Sequence, residues 1–455
     1  MSSLEATRDL VARARAACGG GSPALVCVDQ EGGRVARLRF GTPLPAMSVL
    51  GAAADTGLAE RAGAALAFEV RRIGANVDFA PVLDLALDAE STVIGTRSLG
   101  SDPQTVGRLG AAVVRGLQGG GVVAVPKHFP GHGATALDSH VEVPTVAADA
   151  PTLRARELVP FAAAFAAGAR AVMTAHVRVP ALDAERPATL SAAVLTGLLR
   201  GELGFEGVCF TDDLEMDAIA RGVGTASGAA LAVAAGADMP LICHSLERAF
   251  AARDALVGAV RNGALPLARL EEAADRVAAL RAAFPAADAP DPALEDRALG
   301  REIARRGLTR IRGAASLDPA RPVTVVSFEG VAGDGIAAAA RERPSLSLAL
   351  RRRRARSELM RVALDPDAAM LEMLVDVVRA QGARNVVVLA RRAHVHPAQA
   401  RAIDALLEIA PHAVVVSMLE AFDVPLFARA RTVLATHGDE EPNVEALADL
   451  LMERS

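Results

Sequence analysis

The sequence predicts an α/β protein in two parts, a TIM-like (β/α) barrel followed by a smaller α/β sandwich. Three observations predict it. From about Ala24 to about Phe284, short apolar runs alternate with longer amphipathic stretches, which is the rhythm of parallel β/α units. The apolar runs end, one after another, on polar residues, as strands do at the carboxyl face of a barrel. A stretch rich in Pro, Ala and Asp, Phe284 to Asp296, then interrupts the pattern before it resumes. An open doubly wound sheet also gathers polar groups at its strand ends, and it stands as the competing fold.

Taken in order, "LEATRDLVARARAA" near the amino terminus reads as a helix. It has no apolar run of the kind a secretory leader carries, and no segment is long and charge-free enough to span a bilayer. "ALVCVD", "NVDFAPVLD", "VVAVPKH", "AVMTAH", "GVCFTDD" and "ADMPLICH" read as six buried strands. They end on Asp29, Asp84, Lys127–His128, His176, Asp212–Asp213 and His244. A strand covered on both faces is apolar throughout, so polar residues collected at one end call for another explanation than scattered surface exposure. Between the strands, "LAERAGAALAFEVRRIG" and "PQTVGRLGAAVVRGLQGGG" have helical periodicity. The expected boundaries are residues 1–284 for the barrel, 285–312 for a linker and connecting helix, and 313–455 for the sandwich. In that last part "PVTVVSF", "NVVVLA", "AVVVSM" and "TVLATHG" are again buried parallel strands. "FEGVAGDG" reads as a turn, since its glycines are not in dinucleotide-binding order.

The bulk numbers narrow the class. The chain has 455 residues, of which 51% are apolar, and a net charge of −5. That suits a folded protein with more than one core and disfavours disorder. The only basic block, "RRRRAR" at Arg351–Arg356, reads as a solvated face, and no nucleic-acid partner is expected. Four cysteines occur without a CxxC pair; Cys27, Cys209 and Cys243 lie in apolar runs and are expected to be buried free thiols in a reducing compartment. The expectation is a cytoplasmic protein with no membrane partner. Trp and Tyr are absent, so a ligand would be held by polar and charged groups rather than on aromatic platforms.

The densest chemistry is "KHFPGHGATALDSH", Lys127 to His140. A metal reading is disfavoured because Lys127 stands beside His128 and the helical HExxH pattern is absent. No Walker-type phosphate loop is present either. The acid/base reading explains more residues. Lys127 and His128 can donate to ligand hydroxyls from a strand end. Asp138 can reach and orient His140, favouring its charged form. Read alone, the same spacing fits a capping aspartate and a loop histidine equally well. In "GVCFTDDLEM", Asp212 and Asp213 point to opposite sides of an extended backbone. One can face a site as a nucleophile while the other, for which Asp213 is the better candidate, caps the next helix. "VDQEGGRVARL" offers Asp29, Arg34 and Arg37, and "IGTRSLG" offers Arg97. A surface salt-bridge cluster accounts for these as well as a ligand grip does. His176 fits a ligand contact or a satisfied core histidine.

Together and in this order, "VDQEGGRVARL", "IGTRSLG", "KHFPGHGATALDSH", "MTAHV", "ELGFEGVCFTDDLEM" and "AGADMPLIC" resemble glycoside hydrolase family 3. The nearer likeness is to its bacterial β-N-acetylglucosaminidase (β-hexosaminidase) branch, which trims cell-wall fragments. The likeness is dense from Leu25 to Cys243 and continues in "VVVSMLEAFDVPLF" and "TVLATHGDEEPNVEAL". The resemblance implies Asp212 as nucleophile and His140, paired with Asp138, as general acid/base. It implies Asp29, Arg37, Arg97, Lys127, His128 and His176 as substrate contacts, with no metal and no cofactor. The reaction implied is retaining hydrolysis of a terminal β-linked N-acetylhexosamine in peptidoglycan recycling. A neutral histidine does not repel an anionic acceptor, which leaves phosphorolysis as a variant outcome. The resemblance also implies two barrel strands ahead of "VDQEGG", whereas the 24 residues before Leu25 read mostly as helix. The expectation is therefore a barrel lacking its first two strands, or a reading frame that starts further upstream. A non-catalytic sugar-binding protein is the alternative that an incomplete barrel raises.

Overall fold

The computed structural model describes residues 3–17, 24–135, 143–286, 290, 295–315, 317–318, 320–330 and 344–453. Each of the six apolar runs of the first part contains a strand: β1 (Cys27–Val28), β2 (Val77–Asp78), β3 (Val123–Ala124), β4 (Ala171–Met173), β5 (Val208–Asp213) and β6 (Met239–Leu241). All neighbouring pairs are parallel. Cys27 pairs with Val77, Val77 with Val123, Ala171 with Val208, and Met239 with Phe210. Past the end of β3 the Phe129 amide donates to Met173 O at 2.8 Å, which joins the two three-stranded halves in chain order.

Alternate side chains go to opposite faces. Val77, Phe79, Val123, Val125, Ala171, Met173, Val208 and Phe210 form one core. Val28, Ala80, Ala124, Val172 and Cys209 join the other, with Leu66, Leu109, Val113 and Phe161. Leu66, Leu109, Val113 and Phe161 come from the helices Thr56–Arg72, Pro103–Gly119 and Leu158–Ala166. Both faces are covered, which is why the strands read as unbroken apolar runs.

Among the described residues β6 does not pair with β1, so the six strands form an open sheet and no closed barrel, in keeping with the six rather than eight strands read from the sequence. The inner core instead takes in Val277 and Leu280 of the helix Leu267–Ala283, with Phe284 packed against it. Asn76 Nδ2 donates to Phe284 O at 2.8 Å and anchors the end of that helix beside β2. The buried apolar area of the inner face, at about 25 cal/mol per Å2, is thus recovered by a helix.

The second part is one six-stranded sheet of β7 (Thr309–Arg312), β8 (Val323–Glu329), β9 (Ser357–Ala363), β10 (Val386–Ala390), β11 (Val414–Ser417) and β12 (Thr432–Ala435). Its order is β7-β12-β11-β10-β8-β9, with only β7 antiparallel. Two apolar clusters, one on each face, hold helices against it. The sheet therefore takes in residues ahead of the expected start at 313. β9 was not anticipated, and most of "FEGVAGDG" lies outside the described residues. The connecting helix is Leu299–Gly307. Cys209 is buried as expected, but Cys27 is only half-buried and Cys243 is exposed, because "ADMPLICH" leaves the sheet after Leu241. Among the described residues no helix is long and apolar enough to cross a membrane.

Candidate active site

The carboxyl ends of β1 to β5 bring Asp29, Asp84, Lys127, His128, His176 and Asp212 to one rim. The rim is built around buried carboxylates. Glu31, which follows β1, is buried and accepts a bidentate pair from Arg97, both bonds at 2.8 Å. Its Oε1 also meets Lys127 Nζ at 2.7 Å, and Lys127 reaches Asp29 Oδ1 at 2.9 Å. The result is a chain of alternating charge, Arg97–Glu31–Lys127–Asp29. Burial pushes the Glu31 carboxyl up, but Arg97 and Lys127 overcome it and hold Glu31 well below the usual carboxylate range. Burial likewise works against the Lys127 ammonium, and Asp29 and Glu31 outweigh it, so Lys127 stays charged.

Asp84, at the end of "NVDFAPVLD", does the equivalent work for the loop after β3. Its Oδ2 lies 2.6 Å from His128 Nδ1 and accepts the His128 amide at 3.2 Å, while Oδ1 accepts the His132 amide at 2.6 Å. The His132 ring faces Thr135 Oγ1 at 2.7 Å. Gly133 has no room for a side chain, since a Cβ there would fall 1.8 Å from Leu85 O. The loop is thus folded tightly onto the strand that carries Asp84. The Lys127–His128 and Phe129–Pro130 peptides are cis.

Asp212 ends β5, with Asp213 turned away from it. Asp212 Oδ1 accepts the Asp213 amide at 2.8 Å. Burial favours a protonated Asp212, but His128 and His176 in whatever fraction they are protonated, the Asp213 N–H and the Lys127 charge outweigh it and hold the carboxyl below its ordinary value. Asp212 is therefore held as an ionised carboxylate at a half-buried strand end. Asp213 folds into a turn, accepting the Glu215 amide at 3.0 Å, and its other oxygen meets His244 at 3.2 Å.

The remaining expected residues divide clearly. His176 is fully buried; Nε2 donates to Asp213 O at 2.9 Å and Nδ1 meets Thr189 Oγ1 at 2.8 Å. Burial lowers its pKa, and a neutral ring satisfies both contacts, so it braces the strand end beside Asp212. Arg97 is buried and committed to Glu31 and to Val93 O. Arg37, by contrast, has no hydrogen-bond or ion-pair partner among the described residues and is half-exposed. Asp138 and His140 lie outside the described residues.

Sequence reading missed Glu31 and undervalued Asp84. Glu31 stands in "DQEGG" between two obvious polar neighbours, and its signal was the need of Arg97 and Lys127 for a counter-charge. Among the described residues no group of three or more His, Cys, Asp or Glu could hold a metal ion.

Comparison with known proteins agrees with this geometry. Residues 1–280 match the Glycosyl hydrolase family 3 N terminal domain. A Beta-hexosaminidase of Stenotrophomonas maltophilia (strain K279a) is 44% identical over 249 residues, covering 53% of this chain and 73% of the relative. One from Pseudomonas aeruginosa (strain LESB58) is 46% identical over 234 residues, covering 50% and 69%. Among solved structures, a glycoside hydrolase family 3 beta-N-acetylglucosaminidase from Paenibacillus sp. str. FPU-7 superposes with a TM-score of 0.89 at 36% identity, covering 98% of this chain and 87% of that one.

Proposed function

The chain belongs to glycosyl hydrolase family 3, and from that premise we propose that it is a retaining exo-β-N-acetylglucosaminidase releasing terminal β-linked N-acetylhexosamine, with cell-wall fragments as the substrate source. The observation that carries the reading is Asp212. It is a half-buried carboxylate at a strand end, held below its ordinary pKa by its neighbours on the same rim.

In this reading Asp212 attacks the anomeric carbon while the leaving oxygen takes a proton from His140, the acid assigned by resemblance and oriented by Asp138. The glycosidic bond breaks and a glycosyl–Asp212 ester forms. Water then attacks the same carbon, giving its proton to His140, and the ester bond breaks with Asp212 leaving as carboxylate. Two inversions at one carbon give net retention. Lys127 offers a buried cation and Asp29 a half-exposed carboxylate on the same edge, a donor and acceptor pair suited to sugar hydroxyls. His128 and Arg37 supply further donors. Arg97 and His176 act through the groups they hold.

The test is Asp212→Asn assayed on an aryl β-N-acetylglucosaminide, with the anomer of the released sugar followed by NMR. The expected result is a loss in kcat of at least about a thousandfold with circular dichroism unchanged, and a β-configured first product from the unaltered protein. Undiminished turnover by Asp212→Asn, or an α-configured first product, refutes the reading.

A further inference from the structure

The stretch from Asp84 to Ser98 connects two parts of the rim. Asp84 fixes the His128 loop, Arg97 fixes Glu31 and Lys127, and Ser98 Oγ ties the two ends together by donating to Asp84 O at 2.7 Å. Between them the chain has almost no regular structure; a single helical turn, Gly95–Arg97, is all that forms. Its carbonyl oxygens are instead collected by cations. Arg34 Nη2 donates to Thr92 O at 2.8 Å and Val93 O at 2.9 Å, and Arg97 donates to Val93 O. The other cations come from the second domain. Arg392 Nη2 donates to Glu90 O at 2.9 Å, and the His394 Nε2 lies 2.7 Å from Ala89 O. Glu420, also of the second domain, packs so close that a Cβ at Gly95 would lie 2.4 Å from its Oε1, and Gly95 has a φ of 45° besides.

His394 is the informative member. Its Nδ1 lies 2.6 Å from Asp423 Oδ1, an oxygen that already accepts the His394 amide at 3.0 Å. Ala89 O, on the other side, is a carbonyl. Two acceptors flank one imidazole, so both ring nitrogens must carry hydrogen. We propose that His394, held as an imidazolium between Asp423 and Ala89 O, is a positioning residue for glycoside cleavage, fixing the Asp84–Ser98 loop and through it the Arg97–Glu31–Lys127 chain. This rests on the function proposed above.

The surroundings fit. Burial works against the charged ring, but the hydrogen bonds to Asp423 and Ala89 O and the Asp423 charge outweigh it, with Arg392 opposing, and the net pKa is raised. Phe422 lies edge-on at 5.8 Å. On the barrel side the charged neighbours of Ala89 are Asp88, whose carboxylate is turned onto the Glu90 amide, and the exposed Glu90. Loss of the proton leaves a lone pair facing an oxygen. Asp423 also holds the His394 amide, so the contact surrendered is the one to Ala89 O.

The experiment uses the full chain labelled with 15N-histidine, the His394 signal being assigned by its absence in His394→Gln. Both ring nitrogens are expected to be protonated near neutral pH, with titration above the usual value of about 6.5. In His394→Gln, KM for the aryl glycoside is expected to rise about tenfold with kcat within about twofold. Amides 86–97 should exchange faster. KM of the unaltered protein should rise with pH as His394 loses its proton, and that rise should be absent from the variant. A singly protonated His394 near neutral pH overturns the proposal, as does a variant with unchanged KM and unchanged exchange. If the unaltered protein cleaves no glycoside, the proposed function fails, while the labelling and exchange measurements still decide the state and role of His394 in holding the loop.

Discussion

Glu31→Gln removes one negative charge from a place where two cations depend on it. The Arg97 and Lys127 side chains are 8% and 3% exposed, and Glu31 itself 1%. Lys127 keeps Asp29 after the change, but Arg97 keeps only a backbone carbonyl. Removing one partner of a buried pair costs about 3–5 kcal/mol, since the other charge is left unsolvated. That is a large part of a typical stability of about 5–15 kcal/mol. Glu31 titrates below its unfolded value of about 4.3, so its contribution is present above that pH and lost only as pH falls through the depressed value. The gap between the two proteins should therefore be flat from about pH 5 to 8 and close in strong acid. Urea unfolding followed by far-UV circular dichroism is the suitable assay, because the chain has no Trp or Tyr to report by fluorescence. A cycle with Arg97→Gln should show the double variant less destabilised than the sum of the singles by about 2 kcal/mol. A cost for Glu31→Gln below about 1 kcal/mol, or additivity within about 0.5 kcal/mol, refutes the charge-chain account.

Two further outcomes are expected. Arg37→Ala should leave stability within about 0.5 kcal/mol yet raise KM, whereas Arg97→Ala should lower stability by about 3 kcal/mol by leaving buried Glu31 with Lys127 as its remaining counter-charge; the same melts and kinetics decide both. Asp78 is fully buried with its carboxyl raised well above the usual value, first by burial, so the folded state holds a proton that the unfolded state releases. Stability from this group falls as pH rises from about 3.9 through the raised native value. Asp78→Asn should lose that slope, and its melting temperature should gain on the unaltered protein between about pH 5 and 8.

Ten strands of the two sheets were legible because their apolar composition marks them, most being buried on both faces and β6 half-buried. β9 escaped because it is an edge strand: in "SELMRVA" only Ser357 and Val362 are buried, and its alternation looks like a loop. β7 escaped for the same reason, with most of its residues exposed. The missing closure was legible as a count of six strands where eight were implied, but the helix that packs against the inner face in their place was not. In the site, residue types and order pointed to Asp212, Lys127 and His128. Whether an arginine grips a ligand or a neighbour was not readable, because Arg37 and Arg97 differ only in what the fold places within 3 Å of them, which for Arg97 is Glu31.

That distinction extends to two aspartates at strand ends, Asp78 and Asp212. Asp78 lies near Asp29 and Glu31, keeps one oxygen without a partner among the described residues, and is driven toward its neutral form. Asp212 is only half-buried, but it accepts an amide and has His128, His176 and Lys127 nearby, and is driven toward its charged form. Burial acts on both in the same direction, so the neighbours decide the sign. Those neighbours are not independent. Lys127 is charged because Glu31 and Asp29 hold it, Glu31 is ionised because Arg97 holds it, and Arg97 stands on a loop pinned by Arg34, Arg392 and His394. The ionised state of Asp212 is thus a property of the whole charge chain, which begins in the second domain.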